Sequence, residues 1–345
     1  MVETQLKAKL AVSPAKKRGG AMRAIAALLA FFLIIMLALT VFTPFPVSYL
    51  ARFLFRNGVA VPPANYGEIK PKTEVFRDIK YPSEHSGNKA DVYIPKEGAA
   101  PYPVVLWIHG GAFVGGDKKD VEVYATALAA EGYAVVCMNY GLAPEEKYPV
   151  PVMQTGEAYL WIESAAEEYG FDADRLVLAG DSAGAHVAAQ FAAIQSNGGY
   201  AGELGQKQLV QSGKIKAVLL FCGPFDVSEI AAIGSAALDF LTGRVAWAYF
   251  GTPNWAEIFG REATIANHVT EEFPPAFISD GNTGSFEKQG RAFAEDLRRS
   301  GVAVETYFTP SGFELTGHEY QFIMDTPAGV ESFRRTLDFL EKYMT

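Results

Sequence analysis

Two short glycine-containing motifs in this 345-residue chain carry the residue types that acyl transfer requires. Gly180-Asp-Ser-Ala-Gly184 follows the apolar run 176–179 and precedes a run of small residues, which predicts a strand, a tight turn and a helix. Glycines at both flanks let the strand and the helix approach each other while Ser182 takes a strained backbone conformation. The pattern predicts a nucleophile elbow, with the serine hydroxyl above a sheet and the positive end of a helix beneath it.

The second motif, His109-Gly-Gly-Ala-Phe113, lies earlier in the chain and follows another apolar run, 103–108. Its glycines allow backbone amides to point at a developing negative charge. Gly110 and Gly111, together with the amide of Ala183 after the predicted nucleophile, are therefore predicted to form an oxyanion hole. A pair of glycines after a strand is by itself most often a tight turn, and it is the combination of both motifs that indicates acyl transfer.

The general base must come from the three histidines that follow Ser182. His186 lies on the helix predicted after the nucleophile, so its side chain runs beside that helix, and His268 falls in an irregular segment. His318 follows the predicted strand 303–309 and a loop with proline and glycine, just before the last helix. A base at that place can reach over the sheet edge, so His318 is predicted, in the chain order nucleophile, acid, histidine.

Three acidic residues compete for the position that orients this histidine. Asp280 lies at the end of the predicted strand 275–280, Asp226 follows the preceding strand, and Glu287 comes a few residues later. Each also has an ordinary structural explanation, the two aspartates as turn residues and the glutamate as a first-turn helix residue favoured by the dipole. We predict Asp280, because it lies at the strand end itself, and keep Asp226 and Glu287 as alternatives.

A mainly parallel sheet would bring these motifs together. Strands are predicted at about 74–81, 90–95, 103–109, 134–140, 175–181, 217–223, 275–280 and 303–309, and after the second they alternate with helices. Such alternation is typical of a parallel sheet with helices on both faces. The segment 224–273 between the sixth and seventh strands is far longer than a crossover needs. It is rich in aromatic residues and is predicted to form a cap that lines an apolar pocket.

These motifs resemble the hormone-sensitive-lipase-like branch of the α/β-hydrolases, which includes bacterial carboxylesterases and arylacetamide-deacetylase-like enzymes. The matching stretches are His109-Gly-Gly-Ala-Phe-Val114, Asn139-Tyr-Gly-Leu-Ala-Pro-Glu145, Arg175 to Gly184, Phe273-Pro-Pro-Ala276 and His318. The resemblance runs from about Val75 to the C-terminus. It implies an α/β-hydrolase fold of eight strands with an antiparallel second strand at the edge, and it implies a Ser-His-acid esterase.

The chain departs from that family's pattern at three places. Ala112 stands where a third glycine is common, and Gly284 stands where the acid is expected. After His318 comes Glu319, where glycine usually follows the histidine. The last two departures concern the residues that would orient the predicted base.

The N-terminal region predicts attachment to a membrane. Residues 24–42 form an uncharged apolar run that is long enough to span a bilayer. Six Lys or Arg residues and a single Glu precede it, a net charge of +5, and this places the N-terminus in the cytoplasm and the enzyme outside. We therefore predict a basic cytoplasmic segment 1–23, a retained signal anchor 24–43, a linker, cap or interfacial helix 44–73 and a catalytic domain 74–345. A cleaved signal peptide is the alternative.

Charge and cysteine content limit the possible partners. The chain has a net charge of −9, so −14 remains beyond the N-terminal segment, which argues against nucleic acid as a partner. Cys137 and Cys222 fall in apolar strand runs and are predicted to be buried thiols without a disulfide. We predict no metal and no cofactor.

The predicted function is that of a serine carboxylesterase acting on small uncharged acyl or aryl esters through an acyl-enzyme. One alternative is a deacetylase of cell-envelope sugars or an amidase with the same triad. Another is a hydrolase-fold protein that binds a ligand without catalysis, as the glycine at the expected acid position would allow.

Overall fold

The computed structural model describes residues 18–310 and 312–344. Most of the predicted cytoplasmic segment, including four of its lysines, lies outside the described residues. The chain divides into two compact units between Pro46 and Val47.

The first unit contains a long apolar helix, α1, Arg18–Phe42. Its part Met22–Phe42 has 21 residues and a mean hydropathy of 3.0, and it is long and apolar enough to cross a membrane. The Thr40 hydroxyl donates to the carbonyl oxygen of Leu37, so this polar side chain is satisfied within the helix. By length and composition α1 is a candidate membrane span, and a signal sequence has the same properties.

The second unit is built on one sheet of eight strands. The strands are β1 Thr73–Lys80, β2 Lys89–Pro95, β3 Tyr102–Ile108, β4 Ala134–Met138, β5 Phe171–Asp181, β6 Ile215–Phe221, β7 Ala276–Asp280 and β8 Val304–Phe308. Their order across the sheet is β1-β2-β4-β3-β5-β6-β7-β8. β2 is antiparallel to both neighbours, whereas the pairs from β4 to β8 are parallel. The mainly parallel sheet with an antiparallel second strand is therefore confirmed, but β1 lies at the edge and β2 lies next to it.

Helices cover both faces of this sheet, as predicted. After α1 they are α2 Phe45–Leu54, α3 Tyr66–Ile69, α4 Glu122–Ala130, α5 Val150–Ser164, α6 Ala166–Tyr169, α7 Ala183–Ser196, α8 Gly198–Glu203, α9 Ala236–Phe250, α10 Trp255–Ala263, α11 Glu287–Arg299 and α12 Pro327–Met344. Buried side chains of α5, α7 and α11 form one core cluster, and those of α4 and α12 form the other.

The central strands read as unbroken apolar runs because both of their faces are covered. On β3, Leu106 and Ile108 enter the cluster with α7, while Val105 and Trp107 enter the cluster with α4. Alternate residues of a strand point to opposite faces, so one run of apolar residues supplies two cores. The ends of the parallel strands are thereby fixed rigidly beneath the loops that carry the motifs.

The insertion between β6 and β7 contains α9 and α10. Its aromatic residues pack on one another, with the Phe250 ring stacked against Phe259 and Trp255. The other side of α9 faces a cavity, which Leu241 and Val245 help to line. The insertion thus covers a cavity, and its aromatic residues stabilise the cap itself.

Most of helix α2 belongs to the second unit and packs on the loops of that unit. The Arg52 guanidinium donates to the carbonyl oxygens of Val114 and Ala143 and pairs with Glu145 at 2.6 Å. Because these contacts reach the loop after β3, the compact unit begins at Val47, earlier than the predicted domain start at 74.

Candidate active site

Ser182 lies in a strained turn between β5 and α7. Its φ of 51° and ψ of −120° fall in a region that residues with a Cβ rarely adopt. The Ser182 amide donates to the carbonyl oxygen of Phe221 at 2.8 Å, which ties the turn to β6. A Cβ on Gly184 would lie 2.0 Å from the carbonyl oxygen of Ile108, so only glycine permits this crossing of helix and strand. The strand, turn and helix follow one another as the sequence predicts.

His318 reaches Ser182 from the loop after β8. Its Nε2 lies 2.8 Å from the Ser182 Oγ. Burial lowers the pKa of His318 to about 4, so the ring is neutral at pH 7 and can accept a proton from the hydroxyl.

The other two histidines of this part of the chain have structural contacts. His186 Nδ1 faces the carbonyl oxygen of Pro224 at 2.9 Å. The His268 ring stacks on Tyr200, with the ring centroids 3.6 Å apart. Neither lines the cavity above Ser182.

Asp280 is buried at the end of β7, where the sequence predicts the acid. Its Oδ1 accepts a hydrogen bond from the Gly281 amide at 2.7 Å and another from the Ser285 hydroxyl. The Ser285 Oγ in turn lies 2.7 Å from His318 Nδ1. Among the described residues no hydrogen bond joins Asp280 and His318 directly, and the Ser285 hydroxyl lies between them.

The physical reason lies in the loop after β7. Gly281 packs on the loop that carries His318, since a Cβ there would lie 2.1 Å from the carbonyl oxygen of Gly317. Asn282 and Thr316 exchange hydrogen bonds of 3.1 Å between the same two loops. The two backbones are therefore clamped together, and the Ser285 side chain enters between the carboxyl and the imidazole.

The two alternative acids take their ordinary structural roles. Asp226 accepts from the Ser228 amide at 2.9 Å and caps a short helical turn. Glu287 pairs with Arg291 one turn along α11, at 2.6 Å. Neither carboxylate has a hydrogen bond to His318 within the described part of the chain.

The loop after β3 presents amides to the space above Ser182. Gly111, Ala112 and Phe113 all have positive φ, of 102°, 55° and 62°. Among the described residues the Gly111 and Ala112 amides donate to no protein acceptor. The Ala183 amide is at the first position of α7, where a helix offers it no internal partner. All three residues line the cavity beside Ser182, so their amides are available to an oxyanion.

Gly110 differs from its predicted role. Its amide donates to Asp181 Oδ2 at 2.7 Å, so it is already engaged. The sequence does not reveal this, because Asp181 comes from the end of the neighbouring strand β5 and meets the loop only in the folded sheet. Ala112, which replaces a common glycine, supplies a free amide in its place. The Phe113 ring stacks on Tyr249 of the cap at 3.9 Å and helps to hold the loop.

Two buried carboxyl groups support this loop from below. Asp181 accepts hydrogen bonds from Trp107 Nε1 and from the Gly110 amide, each at 2.7 Å. Glu319 lies against it, and burial together with the charge of Asp181 raises the pKa of Glu319 well above its ordinary value. Burial also raises the pKa of Asp181, to about 6. Of the two carboxyl groups, Glu319 is therefore the one that binds a proton more readily.

Sequence reasoning missed Ser285, Ala112 and this carboxyl pair. The signal for Glu319 was its position after the histidine, where glycine is usual and where the structure has a φ of 61°. A residue with a Cβ in that conformation needs a compensating contact, and the bond to Asp181 provides one.

Comparison with known proteins assigns the family. Residues 90–297 match the BD-FAE family. The chain belongs to the BD-FAE family of α/β-hydrolases. The Mycobacterium tuberculosis protein carboxylesterase NlhH is 28% identical over 309 residues, which cover 86% of this chain and 92% of the relative. Esterase LipC of the same species is 28% identical over 224 residues, 62% of this chain and 54% of that protein.

Solved structures agree with this BD-FAE assignment at the level of the fold. Esterase B from Lactobacillus Rhamnosis superposes with a TM-score of 0.70 at 21% identity, covering 81% of this chain and 91% of that one. The carboxylesterase EstE1, cloned from a metagenomic library, has a TM-score of 0.67 at 23% identity, with coverage of 88% and 98%. The α/β-hydrolase fold implied by the resemblance is confirmed.

The cavity of this BD-FAE protein has a volume of about 400 Å³ and lies directly above Ser182. Its floor is formed by the serine, His318 and the glycine-rich loop. Its walls are mainly apolar and come from the cap, the segment after α2 and the segment before α11, with Ile230, Ile233, Leu238, Leu241, Val245, Phe55 and Phe286 among them. The described residues that line it include no Lys or Arg. Larger and more open clefts around Phe313 contain none of the reactive side chains.

Three side chains of the kinds that bind metal ions also lie close together at this site. Ligand atoms of Cys222, Asp280 and His318 lie within 4.8 Å of one another. However, the two nitrogens of His318 face Ser182 and Ser285, and burial raises the pKa of the Cys222 thiol well above its ordinary value. A protonated thiol and a doubly engaged imidazole are poor ligands, so this cluster fits the packing of the site better than it fits an ion.

Proposed function

We propose that this protein is a serine carboxylesterase that hydrolyses small uncharged acyl or aryl esters through an acyl-enzyme. The observation that carries the proposal is the 2.8 Å contact between Ser182 Oγ and His318 Nε2, beside free amides and beneath an apolar cavity. The names of the relatives, carboxylesterase NlhH and esterase LipC, support the same chemistry.

In the first half-reaction His318 Nε2 takes the proton of Ser182 as the hydroxyl oxygen attacks the ester carbonyl carbon. The carbonyl oxygen becomes an oxyanion and accepts hydrogen bonds from the amides of Gly111, Ala112 and Ala183. Each such donor contributes about 3 kcal/mol to stabilisation of the transition state. When the tetrahedral intermediate collapses, His318 gives its proton to the leaving alkoxide, and the acyl group remains on Ser182.

In the second half-reaction water replaces the alcohol. His318 accepts a proton from the water as it attacks the acyl carbon, and the same amides hold the new oxyanion. Collapse breaks the bond to Ser182 Oγ, which takes the proton back from His318, and the carboxylic acid leaves. Asp280 supplies the negative charge behind His318 and favours the imidazolium that forms in both steps.

The cavity supports the choice of substrate class. Its walls are mainly apolar, the charged side chains among the described residues that line it are carboxyl groups, and no Lys or Arg is there to pair with an anionic substrate. An anionic acyl group would be buried there without a partner, which is costly. Each additional methylene buried against these walls contributes about 0.8 kcal/mol, roughly a fourfold gain in kcat/KM, until the cavity is full.

A p-nitrophenyl ester series from acetate to decanoate tests this proposal with the full-length protein in detergent. Ser182→Ala is expected to reduce kcat/KM by about 10⁴-fold or more while thermal unfolding by circular dichroism stays at the wild-type temperature. Ser212→Ala, at an exposed loop serine, is the matched control and is expected to retain full activity. Ester cleavage by Ser182→Ala at even a tenth of the wild-type rate would overturn the mechanism.

The same assay separates the alternatives. An N-acetylated sugar and an anilide replace the ester, and turnover of either above that of the esters would establish deacetylase or amidase chemistry instead. No turnover of any substrate and no labelling by a fluorophosphonate would leave a protein that binds a ligand without catalysis.

We also propose that α1 anchors the chain in a membrane, with the N-terminus in the cytoplasm and the catalytic unit on the outer face. The length and hydropathy of Met22–Phe42 support the anchor, and the basic residues before it support the orientation. The full-length protein is expected to remain in the membrane pellet after carbonate extraction. Ile34→Arg, in the middle of the span, costs about 3 kcal/mol of insertion free energy and is expected to shift protein to the supernatant.

A reporter fused to the C-terminus gives the orientation. Alkaline phosphatase, which is active outside the cytoplasm, is expected to be active in that fusion. Release of the wild-type chain by carbonate, or loss of the N-terminal residues from the mature protein, would contradict a retained anchor and favour a cleaved signal peptide.

A further inference from the structure

Ser285 lies between Asp280 and His318 of the predicted triad, but the sequence prediction gives this serine no role. It lies in the loop between β7 and α11, and its hydroxyl contacts both a carboxyl group and an imidazole. It donates to Asp280 Oδ1, and its oxygen lies 2.7 Å from His318 Nδ1. Because His318 Nε2 faces Ser182 at 2.8 Å, four side chains form one continuous line of hydrogen bonds.

We propose that Ser285 is a positioning residue that couples Asp280 to His318, so that the proposed esterase orients its base through a bridging hydroxyl. The inference rests on the proposed function and refines it. The Ser285 hydroxyl takes the place of a direct contact between the Asp280 carboxylate and the His318 imidazole.

The single proton of the Ser285 hydroxyl explains how Asp280 acts on His318 through this row of hydrogen bonds. A hydroxyl has one proton, and when it donates that proton to the Asp280 carboxylate its oxygen is free to accept from His318 Nδ1–H. Nε2 then carries a lone pair directed at Ser182, as a general base requires. The charge of Asp280 therefore selects the reactive tautomer of His318 without touching the ring.

Protonation of Asp280 allows the donors and acceptors in this row of hydrogen bonds to exchange roles. A neutral carboxyl can donate to the Ser285 oxygen, and the Ser285 proton then points at His318 Nδ1. The ring carries its proton on Nε2 in that arrangement and cannot accept another from Ser182 while it stays neutral. Ser285 thus makes the base depend on the ionisation of Asp280.

The surrounding loop fits this role. Gly284 immediately before Ser285 has a φ of 61° and an open environment, which allows the chain to turn the serine inward. The close contact between Gly281 and Gly317 fixes the spacing of the two loops, and it leaves room for a hydroxyl between the carboxyl and the ring.

The test is a double-mutant cycle of Ser285→Ala and Asp280→Asn, measured as kcat and KM on a soluble ester. Each single variant is expected to lower kcat by about 10²-fold or more with little change in KM, since the lost interaction acts mainly in the transition state. Because the two residues act as one unit, the double variant is expected to be no slower than the slower single variant. Multiplied losses in the double variant would overturn the coupling.

Rescue supplies a readout that a merely structural serine would not give. The double variant Ser285→Asp with Asp280→Asn places a carboxylate beside Nδ1 and is expected to recover kcat to within about tenfold of wild type. Ser285→Thr keeps the hydroxyl and is expected to stay active. Ser285→Cys is nearly isosteric but a weak donor, and it is expected to behave like the alanine variant even if that variant folds poorly.

The outcomes separate this inference from the proposed function. If Ser182→Ala is inactive while Ser285→Ala and Ser285→Cys keep the wild-type kcat, the esterase stands and the bridge is wrong. If Ser182→Ala stays active, the proposed function itself fails.

Discussion

The acid limb of the pH profile is expected to report Asp280 rather than His318. Burial raises the pKa of Asp280 to about 7, whereas burial lowers the pKa of His318 to about 4. The base needs an ionised Asp280, so activity is fully present above this pKa and is lost as the pH falls through it. At pH 5 about one Asp280 in a hundred is ionised, while about nine in ten His318 rings are still neutral. We therefore expect kcat/KM at pH 5 to be about 1% of its plateau, against about 90% if His318 alone set the limb.

The assay is ester hydrolysis between pH 4.5 and 9 at constant ionic strength, followed in a pH-stat so that the chromophore does not titrate. Asp280→Asn is the matched control, and it is expected to give a low and flat profile between pH 5 and 8 because the titrating group is gone. A wild-type profile that stays flat down to pH 5, or an acid limb near pH 7 that survives in Asp280→Asn, would refute this reasoning.

Three further predictions concern the carboxyl pair, the cavity and the elbow. Folding raises the pKa of Glu319, so the stability of the wild type falls as the pH rises and this carboxyl loses its proton. Glu319→Gln has no such proton to lose, so its melting temperature is expected to exceed that of the wild type by an amount that grows from pH 6 to pH 9. A difference that stays constant over this range would contradict the prediction. Leu241→Trp narrows the cavity and is expected to lower kcat/KM for decanoate relative to acetate, whereas an unchanged ratio would place the acyl chain elsewhere. Gly184→Ala directs a Cβ to 2.0 Å from the carbonyl oxygen of Ile108 and is expected to abolish activity or soluble expression. Gly202→Ala serves as the control, because a Cβ there meets no atom of the described residues within 4 Å.

The sheet and the elbow could be predicted from the sequence because their causes are local. Strands buried on both faces must be apolar throughout, so runs such as 103–108 and 176–179 mark them directly. The elbow needs glycines on both sides of Ser182, since only they allow helix and strand to cross at the observed distance. His318 also followed from its position, because a single histidine stands in the loop between the last predicted strand and the last helix.

The bridge and the oxyanion loop could not be predicted because they depend on contacts between distant segments. Whether Asp280 touches His318 is decided by how two loops pack at Gly281 and Gly317, and this brings Ser285 between them. Which amide remains free in the loop after β3 is decided by Asp181, which arrives from another strand and engages Gly110. The spacing of the motif therefore cannot show that the free amides belong to Gly111 and Ala112 rather than to Gly110 and Gly111.

Whether Ser182 is the nucleophile is tested by identifying the residue that a fluorophosphonate labels in the full-length protein. Intact mass spectrometry and peptide mapping are expected to give one adduct per chain, on Ser182, which disappears in Ser182→Ala and forms at least about 10³-fold more slowly in His318→Ala. An unmodified Ser182, or an adduct on another residue at the wild-type rate, would contradict the claim that Ser182 is an activated nucleophile.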